Sequence, residues 1–155
     1  MSLGGLEEAV DRILDRGGSD EEVLQGVVDA LERVEHYSWV GIYLVDGDDL
    51  VLGPWNGPQA TEHVRIPVGQ GVCGAAAASG ATEVVDDVNA DPRYLACFPS
   101  TRSEIVVPIF HEGRVVGELD IDSDRPAAFG QEDRATLERI ALQIGRCCVP
   151  AGDRH

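Results

Sequence analysis

The run Val115-Val116-Gly117-Glu118-Leu119-Asp120-Ile121-Asp122 constrains this chain more than any other stretch. Successive side chains of a strand point to opposite faces, so a regular strand here puts Glu118, Asp120 and Asp122 on one side and Leu119 and Ile121 on the other. The apolar pair supplies core. Three acids in line form either a solvated sheet face or, if something covers them, a pocket in which like charges and desolvation oppose full ionisation. The preceding Val106-Val107-Pro108-Ile109-Phe110 is a second strand, and His111-Glu112-Gly113-Arg114 joins the two as a hairpin.

The flanking elements follow from periodicity. Leu6, Val10, Ile13 and Leu14 recur at helical spacing until Gly17-Gly18, and Ser19 with Glu22 three residues on caps a helix carrying Val23, Leu24, Val27, Val28 and Leu31. Together these span about residues 4–35. Trp39 to Val45 predicts a strand, Asp46-Gly47-Asp48-Asp49 a turn and Leu50-Val51-Leu52 the return. Gly53, Pro54, Asn56, Gly57 and Pro58 predict a loop; Trp55 within it either covers the core edge or walls a small-ligand pocket. His63 to Val68 predicts a short strand, with His63 either a surface strand residue or a proton carrier. Gly69, Gly71 and Gly74 then lead into an Ala-rich helix, lacking the Lys and Ser/Thr of a phosphate-cradling loop. Thr82 to Val85 is a further strand. The connection from Asp86 to Ser100 is long enough that it should bind or close over something. A last helix, about residues 131–148, carries Leu137, Ile140, Ala141 and Ile144 on one face.

At 155 residues and 43% hydrophobic content the chain supports one domain with a real core. The element order describes an α+β domain: an antiparallel sheet over about residues 38–122, with the N-terminal and C-terminal helices packed on one face. All 12 basic residues are Arg against 28 acids, a net charge of -16 that repels phosphate backbones and anionic lipid, so nucleic-acid and membrane-surface roles are not expected. No stretch reaches the roughly 20 apolar residues of a membrane helix, and the N-terminus lacks signal-peptide regions, which predicts a cytoplasmic protein. Apolar stripes on three helices exceed what one small sheet covers, so a homodimer through the first and last helices is expected.

Four cysteines, Cys73, Cys97, Cys147 and Cys148, do not have the spacing of a zinc site, and in a reducing cytosol they are buried or redox-active thiols. A metal set of Cys73, Cys97 and His63 lacks close ligand spacing, and no metal is expected. Cys97 is the candidate reacting atom: it lies on an irregular run just before Ser103-Glu104-Ile105-Val106, where an acid opens an apolar strand. Cys73 beside Ala75-Ala76-Ala77 is either a small buried hydrophobe or a second active thiol. Cys147 and Cys148 suit helix-end packing, or are exposed thiols that could oxidise between subunits. Trp39, Tyr43 and Trp55 are candidate substrate-contacting aromatics.

The joint order of Leu52-Gly53-Pro54, Arg65-Ile66-Pro67, Gly71-Val72-Cys73-Gly74, Ala96-Cys97, Ser103-Glu104-Ile105-Val106-Val107-Pro108 and Leu119-Asp120-Ile121-Asp122-Ser123, with Phe129-Gly130-Gln131-Glu132-Asp133 before the last helix, resembles the GAF-domain free methionine-(R)-sulfoxide reductases. The resemblance runs from about Trp39 to the last helix. It implies a catalytic Cys97, a partner Cys73, and pocket acids Glu104, Asp120 and Asp122, which also bind substrate. It further implies no bound cofactor and a thioredoxin-type dithiol as reductant. Three positions depart from the family pattern: His63 stands where the family has another cysteine, Phe98 replaces an Asp after the catalytic cysteine, and Arg102 replaces an Asn.

The residues fit that chemistry. A thiolate attacks the sulfoxide sulfur, an acid protonates the departing oxygen, and the attacking cysteine is left as a sulfenic acid that a second thiol condenses with. The three acids would also attract the ammonium group of a free amino acid. The rival expectation is a ligand-binding GAF sensor module with no turnover, favoured by His63 and Phe98 and disfavoured by the thiol pair with matching acids.

Overall fold

The computed structural model describes residues 2–94 and 98–149. Helix α1 (Leu3–Arg16) starts where the Ser2 hydroxyl accepts from the Gly5 N–H and stops at Gly17, whose φ of 70° few other residues adopt. Helix α2 (Asp20–Glu32) opens with the expected capping box between Ser19 and Glu22. Then follow β1 (Trp39–Asp46), β2 (Asp49–Asn56), β3 (Arg65–Pro67), α3 (Gly71–Ser79), β4 (Glu83–Val85), β5 (Ser103–His111), β6 (Arg114–Ser123) and α4 (Gln131–Ile144). After α4 the chain tightens into a 3-10 turn, Gly145–Cys148, within the span expected to be helix.

The six strands form one antiparallel sheet in the order β3-β2-β1-β6-β5-β4. Strand β6 therefore lies at the centre, between β1 and β5. The hairpin from β5 to β6 turns at Glu112 and Gly113, both with positive φ (52° and 77°), the backbone of a tight two-residue hairpin loop. Strand β2 continues through Gly53, Pro54 and Trp55 to Asn56, where a loop was expected. The register explains it: Gly41 pairs with Trp55 but Tyr43 pairs with Leu52, so one extra residue bulges on β2. A bulge accommodates Pro54, which has no N–H for the ladder.

Residues directly opposite across a ladder share a face. Asp122, Asp120 and Glu118 pair with Trp39, Gly41 and Tyr43 on one side and with Glu104, Val106 and Pro108 on the other, so all of these project to one face of the sheet. The opposite face, with Val40, Ile42, Ile105, Val107, Leu119 and Ile121, packs on Leu6, Val10, Val27, Leu31, Leu137, Ile140 and Ile144 of α1, α2 and α4. The N- and C-terminal helices thus share one side of the sheet, as expected. Leu6 and Val10 of α1 and Leu137, Ile140 and Ile144 of α4 are buried within the chain, Ile13 and Leu14 of α1 are half-buried, and Leu142 of α4 is exposed. The exposed large apolar residues, among those described, are Val64, Val68, Phe110 and Leu142. No described helix is long and apolar enough to cross a membrane.

Candidate active site

Helix α3 lies on the acid face. Its Val72, Cys73 and Ala76 join Tyr43, Leu50, Ile66, Val85, Val88 and Val106 in a second, smaller core. A Cβ on Gly74 would stand 2.7 Å from the Pro67 carbonyl oxygen and 2.8 Å from the Gly69 nitrogen, so glycine there lets α3 sit hard against the end of β3. That seating carries Cys73 down to the sheet.

The acids below it are buried: Glu118 is 0% exposed, Asp122 2%, Asp120 4% and Glu104 5%. The Cys73 thiol donates to Asp120 Oδ2 at 3.4 Å. Tyr43, His63, Ile66, Val72, Cys73, Glu104 and Asp120 line a cavity of about 20 Å³. Among the described residues, Asp120 Oδ1, Asp122 Oδ1 and both Glu118 oxygens are buried without a hydrogen-bond partner.

Burial dominates the electrostatics. It pushes the Glu118 carboxyl well above the usual range, and the charge of Asp120 adds to the effect. Asp122 is driven well up by the same two causes in the same order. Asp120 is raised by burial too, opposed by hydrogen bonding to Glu104 and Cys73 and by the charge of His63. The Cys73 thiol is pushed far up, first by burial and then by the charges of Asp120, Glu118 and Glu104. Such a site favours protonated carboxyls and keeps Cys73 as a thiol, a poor nucleophile but a usable condensation partner.

Of the expected site residues, Cys73, Glu104, Asp120 and Asp122 come together, and Tyr43 lines the cavity while its hydroxyl donates to the His63 carbonyl at 2.6 Å. Trp39 and Trp55 do not line it. They stack at 6.2 Å and 15°, and Trp39 also meets Phe98 at 5.9 Å. The Trp39 ring packs where side chains on Gly41 and Gly57 would stand, at the Asp122 end of the acid row. Cys97 lies outside the described residues. Cys148 is buried in the core on the opposite face of the sheet, where burial pushes its thiol up to about 12, and Cys147 packs against that core.

Two residues join the site beyond the expected catalytic and substrate-binding set. Glu118 completes a row of four buried acids; its place in the alternation was visible, but not that α3 would cover it. His63, expected on a strand surface, precedes β3 in irregular backbone and lines the cavity. Its position two residues before Arg65-Ile66-Pro67 was the available signal.

A six-stranded antiparallel sheet with helices α1, α2 and α4 on one face and a short helix closing a polar pocket on the other defines the class as a GAF domain, and the GAF domain family matches residues 20–147. GAF domain-containing protein A of Dictyostelium discoideum is 37% identical over 148 residues, covering 90% of this chain and 92% of that protein. The free methionine-R-sulfoxide reductase of Escherichia coli is 41% identical over 113 residues, covering 73% and 67%. The crystal structure of the Neisseria meningitidis free methionine-R-sulfoxide reductase with its substrate superposes with a TM-score of 0.85 at 39% identity, over 94% of this chain and 89% of that one. The chain belongs to the GAF-domain free methionine-R-sulfoxide reductase family.

Proposed function

We propose that this protein reduces free methionine-R-sulfoxide to methionine. The observation that carries the reading is the row of buried acids meeting the Cys73 thiol under α3: it can hold a proton for a departing oxygen and a charge for an amino-acid ammonium. The chain is an oxidoreductase by family, and relatives that act on that sulfoxide support it as the substrate.

In the proposed cycle the Cys97 thiolate attacks the sulfoxide sulfur, a carboxylic acid among Glu104, Asp120 and Asp122 protonates the oxygen, and the oxygen passes to Cys97 as methionine leaves, giving a sulfenic acid. The Cys73 thiol displaces water from it and forms a disulfide. A thioredoxin-type dithiol reduces that bond, so one dithiol is oxidised per sulfoxide and no bound cofactor takes part. Cys73 suits the resolving role better than Cys147 or Cys148, because those two lie across the sheet from the acids. The same reading has a homodimer working in the cytoplasm, with Trp39, Trp55 and Phe98 flanking the bound amino acid.

The test is NADPH consumption with thioredoxin and thioredoxin reductase on the separate R and S sulfoxides of free methionine. Consumption with R and not S is expected. No consumption with either, while the R sulfoxide still binds, would identify a non-catalytic ligand-binding module.

A further inference from the structure

We propose that the cavity under α3 is also a site for one thiophilic divalent cation, zinc in particular, held by Cys73, Glu104 and Asp120 with His63 as fourth donor, and that its occupancy switches the reductase off. The binding rests on the side chains alone; the switching rests on the reductase reading above.

One donor atom each from Cys73, Glu104 and Asp120 lies within 4.8 Å of the others. Donors bound tetrahedrally at zinc distances of roughly 2.0–2.3 Å stand about 3.3–3.8 Å apart, so the trio needs only a small contraction. The Sγ-to-Oδ2 separation of 3.4 Å already meets it. The cavity between them, about 20 Å³, has room for one ion or one water as it stands, and His63 is in its wall, outside the 4.8 Å group, so its imidazole must turn inward to serve as fourth donor.

The unpartnered atoms give an independent sign. Asp120 Oδ1 and both oxygens of the fully buried Glu118 have no hydrogen-bond partner among the described residues. Carboxyls packed so closely away from water must be neutralised by protons or by a cation. The donor set selects which cation: a thiolate and an imidazole with two carboxylates suit zinc, whereas calcium and magnesium take oxygen alone. The donors come from α3, β5 and β6 and from the segment entering β3, so three sit on regular elements of the fold. Binding releases the Cys73 thiol proton. It also occupies the thiol that would resolve the sulfenic acid and two of the acids that would protonate the oxygen. Inhibition should then be competitive with the sulfoxide and reversed by a chelator.

Cobalt(II) provides the probe. Anaerobic titration of the reduced protein should show visible d–d bands of four-coordinate intensity and a near-ultraviolet thiolate charge-transfer band, both saturating at one equivalent and removed by zinc. Cys73→Ser should lose the charge-transfer band, with circular dichroism confirming the fold; Cys97→Ser and the Cys147→Ser/Cys148→Ser double variant should keep it. His63→Ala and Asp120→Asn should each weaken cobalt binding about tenfold or more. Absence of the bands, their loss with Cys97 or the C-terminal pair in place of Cys73, or unchanged affinity in His63→Ala overturns the site. The coupled assay separates the two readings. Cobalt at Cys73 in a protein that reduces no sulfoxide keeps the site and overturns the reductase reading and, with it, the switch; turnover unaffected by saturating zinc overturns the switch.

Discussion

At the scale of single residues, Glu118 is fully buried, with no hydrogen-bond partner for either side-chain oxygen among the described residues. Unfolded, it titrates near the ordinary carboxylate value of about 4.3; folded, burial and then the charge of Asp120 raise it well above that. Between those values the folded state binds the extra proton, so unfolding free energy falls as pH rises. Replacing the acid by an apolar residue of similar volume removes that penalty. Glu118→Leu should stabilise the protein by about 1–3 kcal/mol at about pH 8 and by less at about pH 5, read from urea unfolding at the two values. An equal gain at both would show that Glu118 does not carry its proton into the fold. The thiols make a second residue-scale case. Cys97→Ser should abolish reduction, whereas Cys73→Ser should complete one turnover and then stall, with cycling by thioredoxin down by about tenfold or more. Mass spectrometry after one equivalent of sulfoxide should find a Cys73–Cys97 bridge in the unmodified protein; a bridge to Cys147 or Cys148 would move the resolving role.

Among the elements, α3 decides what the acid row becomes. Alternation in β6 was legible in the sequence, as were the capping box of α2, the two hairpins and the core face of α4, because each is a local pattern of period two or 3.6 or a turn with its own residue signature. The covering of the acids was not legible. Gly71 to Ser79 is nearly all small residues, without an apolar stripe to say which sheet face it takes; the packing of Val72, Cys73 and Ala76 into the second core, with the Cys73–Asp120 hydrogen bond, fixes it. The β2 bulge escaped for a related reason: Gly53 and Pro54 carry the composition of a loop whether the ladder continues past them or not. Likewise His63 reads as an ordinary polar residue until Tyr43 fastens its carbonyl. Gly74 tests the importance of the α3 seating. Gly74→Ala places a methyl against the backbone of Pro67 and Gly69 and should cost about 1–3 kcal/mol, lowering the melting temperature. It should also make the Cys73 thiol faster to alkylate as the helix lifts, and a variant with unchanged melting temperature and thiol reactivity would mean that α3 tolerates the shift.

For the whole molecule the governing quantity is a net charge of -16 on 155 residues. The ion pairs that relieve it are at the surface: Arg65 with Asp46 and Asp49, Arg93 with Glu83 and Asp91, Arg125 with Glu35, Arg134 with Glu138, and Arg139 with Glu7. Exposed pairs of this kind contribute little and weaken with salt, as does the repulsion among the excess acids. With 28 acids to 12 arginines, repulsion is the larger of the two. Screening it favours the compact state, in which the charges are closest together. Raising sodium chloride from about 0.05 M to about 0.5 M should therefore raise the melting temperature by roughly 2–6 °C, with most of the rise complete once the Debye length falls below about 5 Å. That saturation separates screening from a general salting-out effect, which keeps increasing with concentration. A melting temperature that falls with salt would show instead that the arginine pairs outweigh the repulsion, and that the acidic coat is neutralised locally despite its sum.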